Sequence, residues 1–132
     1  IKVRRENFSF LKNLLLNLKK YFILPKATPD SNPSWFGFPL TIKSSSKIKR
    51  NHLINYLENK NISTRLLFGG NITKQPYMLN QEYRIVGNLN ISDRIMKNSF
   101  WVGIYPGLQK KHLKYVSKTL ENYCRLFGNN KP

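Results

Sequence analysis

Phe8, Leu11, Leu14, Leu15, Leu18 and Phe22 recur at three- and four-residue steps. That spacing lines one side of a helix over residues 3–21, with Arg4, Lys12, Asn13 and Lys19 largely off the stripe. Burying five or six such side chains contributes on the order of 10 kcal/mol before chain entropy is subtracted. The helix therefore demands a partner layer. A second stripe closes the chain: Leu113, Val116, Leu120, Tyr123, Cys124 and Phe127 predict a helix over residues 110–127, ended by Gly128. Two amphipathic helices at the ends need a surface between them to cover.

That surface is predicted from segments of period two. Residues 25–33 form a Pro-bounded linker. In 34–43, Phe36, Phe38, Leu40 and Ile42 fall on one face, and Trp35, Gly37, Pro39 and Thr41 on the other. Pro39 has no N–H for a ladder, which argues for an edge strand. Ser44 to Ser46 can cap a helix over 49–59, with Leu53, Ile54 and Leu57 inward. Asn61 suits a left-handed residue after it. A strand starts at Ile62, and residues 76–79 can make a helical turn. Residues 81–89 look extended and loop-like, Ser92 can cap a helix over 93–98, and 100–105 is a third strand before Pro106-Gly107. The expected fold is α+β: a small, three-stranded, mainly antiparallel sheet with helices on one side.

The 132 residues suffice for one domain, and 40% hydrophobic with 13% aromatic content argues against wholesale disorder. No apolar run reaches the roughly 18 residues of a membrane span, and no signal peptide is evident. Cys124 is the single cysteine, which excludes an intrachain disulfide and suits a reducing, cytoplasmic setting. It reads as a small core side chain. The charge is 23 − 6 = +17, enough to attract polyanions at low salt. The lysines are spread over every segment, however, so dedicated nucleic-acid binding is not the preferred reading. Residues 34–42 are rich in aromatics, as in base-stacking strands, but Pro39 interrupts them and no leading basic residue is present. A core strand is the simpler reading.

The candidate site is the stretch from Ile62 to Pro76. Arg65 carries a planar fork of donors suited to phosphate or carboxylate. Phe68, Gly69, Gly70 and Asn71 form a turn where backbone angles are unrestricted and a ligand can approach the main chain. Lys74 and Gln75 add polar groups. Elsewhere no nucleophile–base pair, phosphate loop, dinucleotide fingerprint or metal spacing is visible. His52 and His112 read as helix-surface histidines, and the acidic residues are sparse and scattered. The chain is expected to hold a recognition surface without a catalytic centre.

Several segments together resemble one family. Arg4-Arg5-Glu6-Asn7-Phe8 is similar to the linking helix of DegT/DnrJ/StrS sugar aminotransferases and dehydratases. Pro33-Ser-Trp-Phe-Gly-Phe-Pro39, Thr64-Arg-Leu-Leu-Phe-Gly-Gly-Asn71 with Gln75-Pro76, Asp93-Arg-Ile-Met96 and Phe100-Trp-Val-Gly-Ile-Tyr-Pro-Gly-Leu108 resemble its CDP-4-keto-6-deoxyglucose 3-dehydratase branch, in lipopolysaccharide deoxysugar synthesis. The resemblance implies the C-terminal small domain of a fold-type I pyridoxal-phosphate enzyme. Residues 1–24 would be the linking helix from a large domain, 25–128 the small domain and 129–132 a tail. It further implies a homodimer, a CDP-hexose substrate, and a pyridoxamine or pyridoxal phosphate cofactor, with an iron–sulfur cluster in reductase-coupled members. The cofactor, base and cluster belong to the large domain, so this chain would be inactive by itself and bind no cofactor or metal alone. Arg65, Phe68, Gly69, Gly70, Asn71 and Gln75 would then contact substrate. Ile1 stands where an initiator Met would, inside a helical pattern, so the chain reads as a piece of a longer protein.

Overall fold

A computed structural model describes residues 1–128. Its elements run α1 (Lys2–Leu14), β1 (Phe22–Ile23), β2 (Gly37–Ile42), α2 (Arg50–Glu58), β3 (Thr64–Leu66), α3 (Asn90–Asn98), β4 (Ser99–Gly103) and α4 (Lys110–Phe127), with short 3-10 turns at Leu16–Leu18, Ile72–Lys74 and Pro76–Met78. The four strands form one antiparallel sheet in the order β1-β2-β4-β3. The expectation of three strands is corrected to four. The missed strand comes from the first apolar stripe. α1 stops at Leu14, and the chain turns so that Phe22 and Ile23 pair with Ile42 and Thr41. Leu15, Leu18 and Phe22 remain buried, so the stripe correctly marked burial while the helix ended early.

Successive β residues face opposite sides. Phe38, Leu40 and Ile42 of β2 and Phe100 and Val102 of β4 pack into the core with Phe8 and Leu11 of α1, Leu53 and Leu57 of α2, and Leu113, Leu120 and Tyr123 of α4. The two end helices also pack on each other. Asn7 is buried within this layer, and its amide donates to the carbonyls of Ile104, Tyr105 and Leu108. It thereby ties the chain leaving β4 to α1.

Two details of β2 depart from expectation. Its ladder starts at Gly37, so Trp35 and Phe36 precede it and escape its alternation. Trp35 stacks on Phe8 at 3.8 Å and packs on the core, whereas Phe36 is 69% exposed. The two were expected the other way round. Second, β2 is internal in strand order, yet β1 reaches only Thr41 and Ile42. Pro39 pairs with Trp101 alone, so its missing N–H interrupts no second ladder. α3 begins at Asn90, before Ser92, and its N-cap, Leu89, makes no side-chain cap bond. The predicted tail at 129–132 lies outside the described residues.

Candidate functional site

Arg65 sits on β3, the sheet's outer strand opposite β1. Its placement begins one turn earlier. Asn61 adopts φ 57°, and the Ile62 N–H donates to the Leu57 carbonyl at 3.0 Å, turning the chain off α2. Glu58 then fixes the strand's start: its Oε1 accepts from the Thr64 N–H at 2.6 Å and from Thr64 Oγ1 at 2.8 Å. Thr64 is buried, so alternation sends Arg65 to the opposite, open face, directly across from Trp101. Arg65 Nη1 donates to the Thr64 carbonyl at 2.8 Å. Arg65 pairs with no carboxylate among the described residues, so the rest of its fork is available to a ligand.

Trp101 forms the floor. Its Nε1 donates to the Leu66 carbonyl at 3.2 Å. Its ring lies over Gly37, where a β-carbon would overlap the indole. Phe36 stands 4.8 Å from Trp101 and Phe68 6.2 Å, both tilted. The Arg4 guanidinium lies 5.7 Å from the Phe36 ring centre and donates to the Trp35 carbonyl. Together these residues, with Ser63 and Tyr105, line an open cavity of about 410 Å³. It holds two guanidiniums, four aromatic rings and no carboxylate, carboxamide or lysine.

Beyond β3 the chain makes a tight loop. Phe68 is held at φ 48° and Gly70 at φ 60°. A β-carbon at Gly70 would overlap Met96 of α3, so only glycine lets loop and helix meet. Asn71 is buried and internally satisfied. Its Oδ1 accepts from the Thr73 N–H at 3.1 Å and from Thr73 Oγ1 at 2.8 Å, and its Nδ2 donates to Asp93 at 2.7 Å. Gln75 donates to the Gly69 carbonyl at 2.5 Å. Of the six residues expected at the site, Arg65 and Phe68 line the cavity. Gly69, Gly70, Asn71 and Gln75 build the loop that presents Phe68.

Asp93 anchors this loop from α3. Hydrogen bonds from Lys74, at 2.6 Å, and from Asn71 hold its carboxyl below the usual carboxylate range. A carboxyl depressed in the folded state contributes stability above its unfolded pKa and loses it as pH falls through the folded value. The loop is therefore expected to hold down to about pH 4 and to loosen only in stronger acid. Amide exchange at Thr73 checks this; loosening already near neutral pH would contradict the anchor.

The remaining polar candidates have structural partners. His52 Nδ1 lies 2.7 Å from the Tyr123 hydroxyl, and His112 Nδ1 accepts from the Gln109 N–H at 3.0 Å, completing a capping box on α4. Cys124 is buried, and burial pushes its thiol up to about 12. Among the described residues, no group of three or more His, Cys, Asp or Glu could hold a metal ion, and no helix is long and apolar enough to cross a membrane. Sequence reasoning missed Trp101, Phe36, Arg4 and Tyr105 as cavity residues, and Glu58 and Asp93 as supports. Aromatics one residue off the core register, Trp101 between Phe100 and Val102, were the available signal.

The DegT/DnrJ/EryC1/StrS aminotransferase family model matches residues 1–121. The chain is 48% identical over 130 residues to the lipopolysaccharide biosynthesis protein RfbH of Salmonella typhimurium, covering 98% of this chain and 29% of that protein. It is 44% identical over 120 residues to dTDP-4-dehydro-2,6-dideoxy-D-glucose 3-dehydratase of Saccharopolyspora spinosa, covering 91% and 26%. The structure of E. coli GDP-4-keto-6-deoxy-D-mannose-3-dehydratase with bound hydrated PLP superposes with a TM-score of 0.81 at 26% identity, covering 90% of this chain and 30% of that one. The chain thus spans under a third of the length of these relatives. It belongs to the DegT/DnrJ/EryC1/StrS aminotransferase family, where it corresponds to the C-terminal small domain.

Proposed function

We propose that the chain is the substrate-closing domain of a pyridoxal- or pyridoxamine-phosphate-dependent nucleotide-sugar 3-dehydratase, acting in deoxysugar and O-antigen synthesis. The observation that carries this reading is the Arg65–Trp101–Phe68 cavity in a chain 48% identical to RfbH. Arg65 supplies a charge-assisted contact to an anionic substrate, and Phe68, on its braced loop, supplies a wall that excludes water. Gly69, Gly70, Asn71 and Gln75 set that wall's position.

The cavity's own residues do not fit the cofactor. Neither a lysine nor a histidine is present to act at the cofactor's reactive carbon, and no carboxylate to meet a pyridine nitrogen. We assign the cofactor, the proton-transferring base and any iron–sulfur cluster to the large domain of the full protein. No chemical step is ascribed to this chain. Its task is binding, orientation and closure, in a homodimer acting on a nucleotide-linked 4-keto hexose, CDP-linked on this reading.

The full-length protein, given pyridoxamine phosphate, a CDP-4-keto-6-deoxyhexose and a two-electron reductant, is expected to lose the 3-hydroxyl as water, with the reductant's two electrons and two protons leaving C3 as a methylene. Product mass and NMR check this. Amination at C4 with the 3-hydroxyl retained would replace the dehydratase reading with an aminotransferase one.

A further inference from the structure

The cavity's chemistry indicates which end of a nucleotide sugar it takes. We infer that it binds the nucleobase and diphosphate and leaves the hexose to the rest of the active site; this rests on the reading above. A hexose is read through several hydroxyls, which a carboxylate or carboxamide meets with two polar atoms at once, whereas a Ser or Tyr hydroxyl offers only one. The cavity has no carboxylate or carboxamide, because Asn71 and Gln75 are spent inside the loop and Asp93 lies behind it. Its remaining polar side chains are Arg4, Arg65, Ser63 and Tyr105.

What it presents instead is a row of π faces between two cations. Phe36 stands 4.8 Å and Phe68 6.2 Å from the central Trp101 ring, with Arg4 over Phe36 and Arg65 across from Trp101. Flat bases stack on such rings whatever their sequence, because every base has a π face. Guanidinium forks match diphosphate oxygens.

Phe68 strengthens the argument from energetics. An aromatic residue at φ 48° occupies a conformation that disfavours side chains, and its ring is left 84% exposed. Neither backbone strain nor an exposed ring stabilises this domain by itself. A base stacked on the ring would repay both. Phe36, 69% exposed and packed on Trp101, lines the same cavity and would meet the same ligand.

The test is calorimetric titration of the full-length protein with CDP, dTDP and GDP, and separately with glucose 1-phosphate. Phe68→Ala and Phe36→Ala are both at exposed positions, so the fold survives them, as circular dichroism will verify. Each is expected to weaken the best-binding nucleoside diphosphate about tenfold, the scale of one lost base–ring stack, and to leave glucose 1-phosphate within twofold. Unchanged diphosphate binding with weakened hexose phosphate binding would overturn the inference while the dehydratase reading stands. A wild-type protein that binds no nucleoside diphosphate and turns over no nucleotide sugar would overturn both.

Discussion

Phe100→Ala is expected to cost about 3–5 kcal/mol, the usual toll of deleting a fully buried aromatic side chain. Phe100 is 0% exposed. It lies on β4, which is paired on both sides from Phe100 to Val102, opposite Leu40 of β2 and Leu66 of β3. The vacated volume cannot be refilled by sliding a strand, because a one-residue shift would turn every side chain to the other face. The sheet also carries Arg65 and Trp101, so the cavity should be lost with it. With total stability typically about 5–15 kcal/mol, the variant should sit near its unfolding transition at ambient temperature. Urea titration checks this: the midpoint should fall sharply with the slope unchanged. A loss under about 1 kcal/mol would mean that Phe100 is not central to the core.

Arg65→Ala should act on substrate and spare the fold. Arg65 is exposed, bonds only to its neighbour's carbonyl among the described residues, and faces away from the core. A charge-assisted hydrogen bond to an anion is worth about 1.5–3 kcal/mol, so KM for the nucleotide sugar in the full-length enzyme should rise roughly 10- to 150-fold. Thermal unfolding should shift little. Arg65→Lys retains the charge but loses the fork, and should recover only part of the affinity. Unchanged KM in Arg65→Ala would remove Arg65 from the site.

Much of the fold was legible because burial writes a period into the chain. α4 was bounded at residues 110 and 127 by its own stripe and Gly128, and β4 was visible as an apolar run stopped by Pro106. β1 was hidden because two residues carry no period, and Phe22 continued the spacing of the helix before it. The inversion of Trp35 and Phe36 was hidden for a related reason: alternation holds only where a ladder exists, and the ladder starts at Gly37.

The site was half legible. Arg65 and Phe68 stood out from strand-then-glycine chemistry. Asn71 and Gln75 looked like ligand groups, yet their polar atoms satisfy the loop's own backbone and Asp93. Residue type alone cannot separate an amide that meets a ligand from one that braces a turn. Trp101 was missed because its role depends on a cross-strand partner 36 positions away, and Glu58 because a helix-end carboxylate looks the same whether it faces water or caps a strand.

The claim at the centre is that the β3–loop face closes on a nucleotide sugar in the complete protein. Hydrogen exchange of the full-length protein, with and without the nucleotide sugar, tests it most directly. Ligand should slow exchange at the amides of residues 65–75 and around Trp101, with the backs of α1 and α4 unaffected. Protection confined to other regions, with residues 65–75 exchanging at the same rate in both states, would contradict the account.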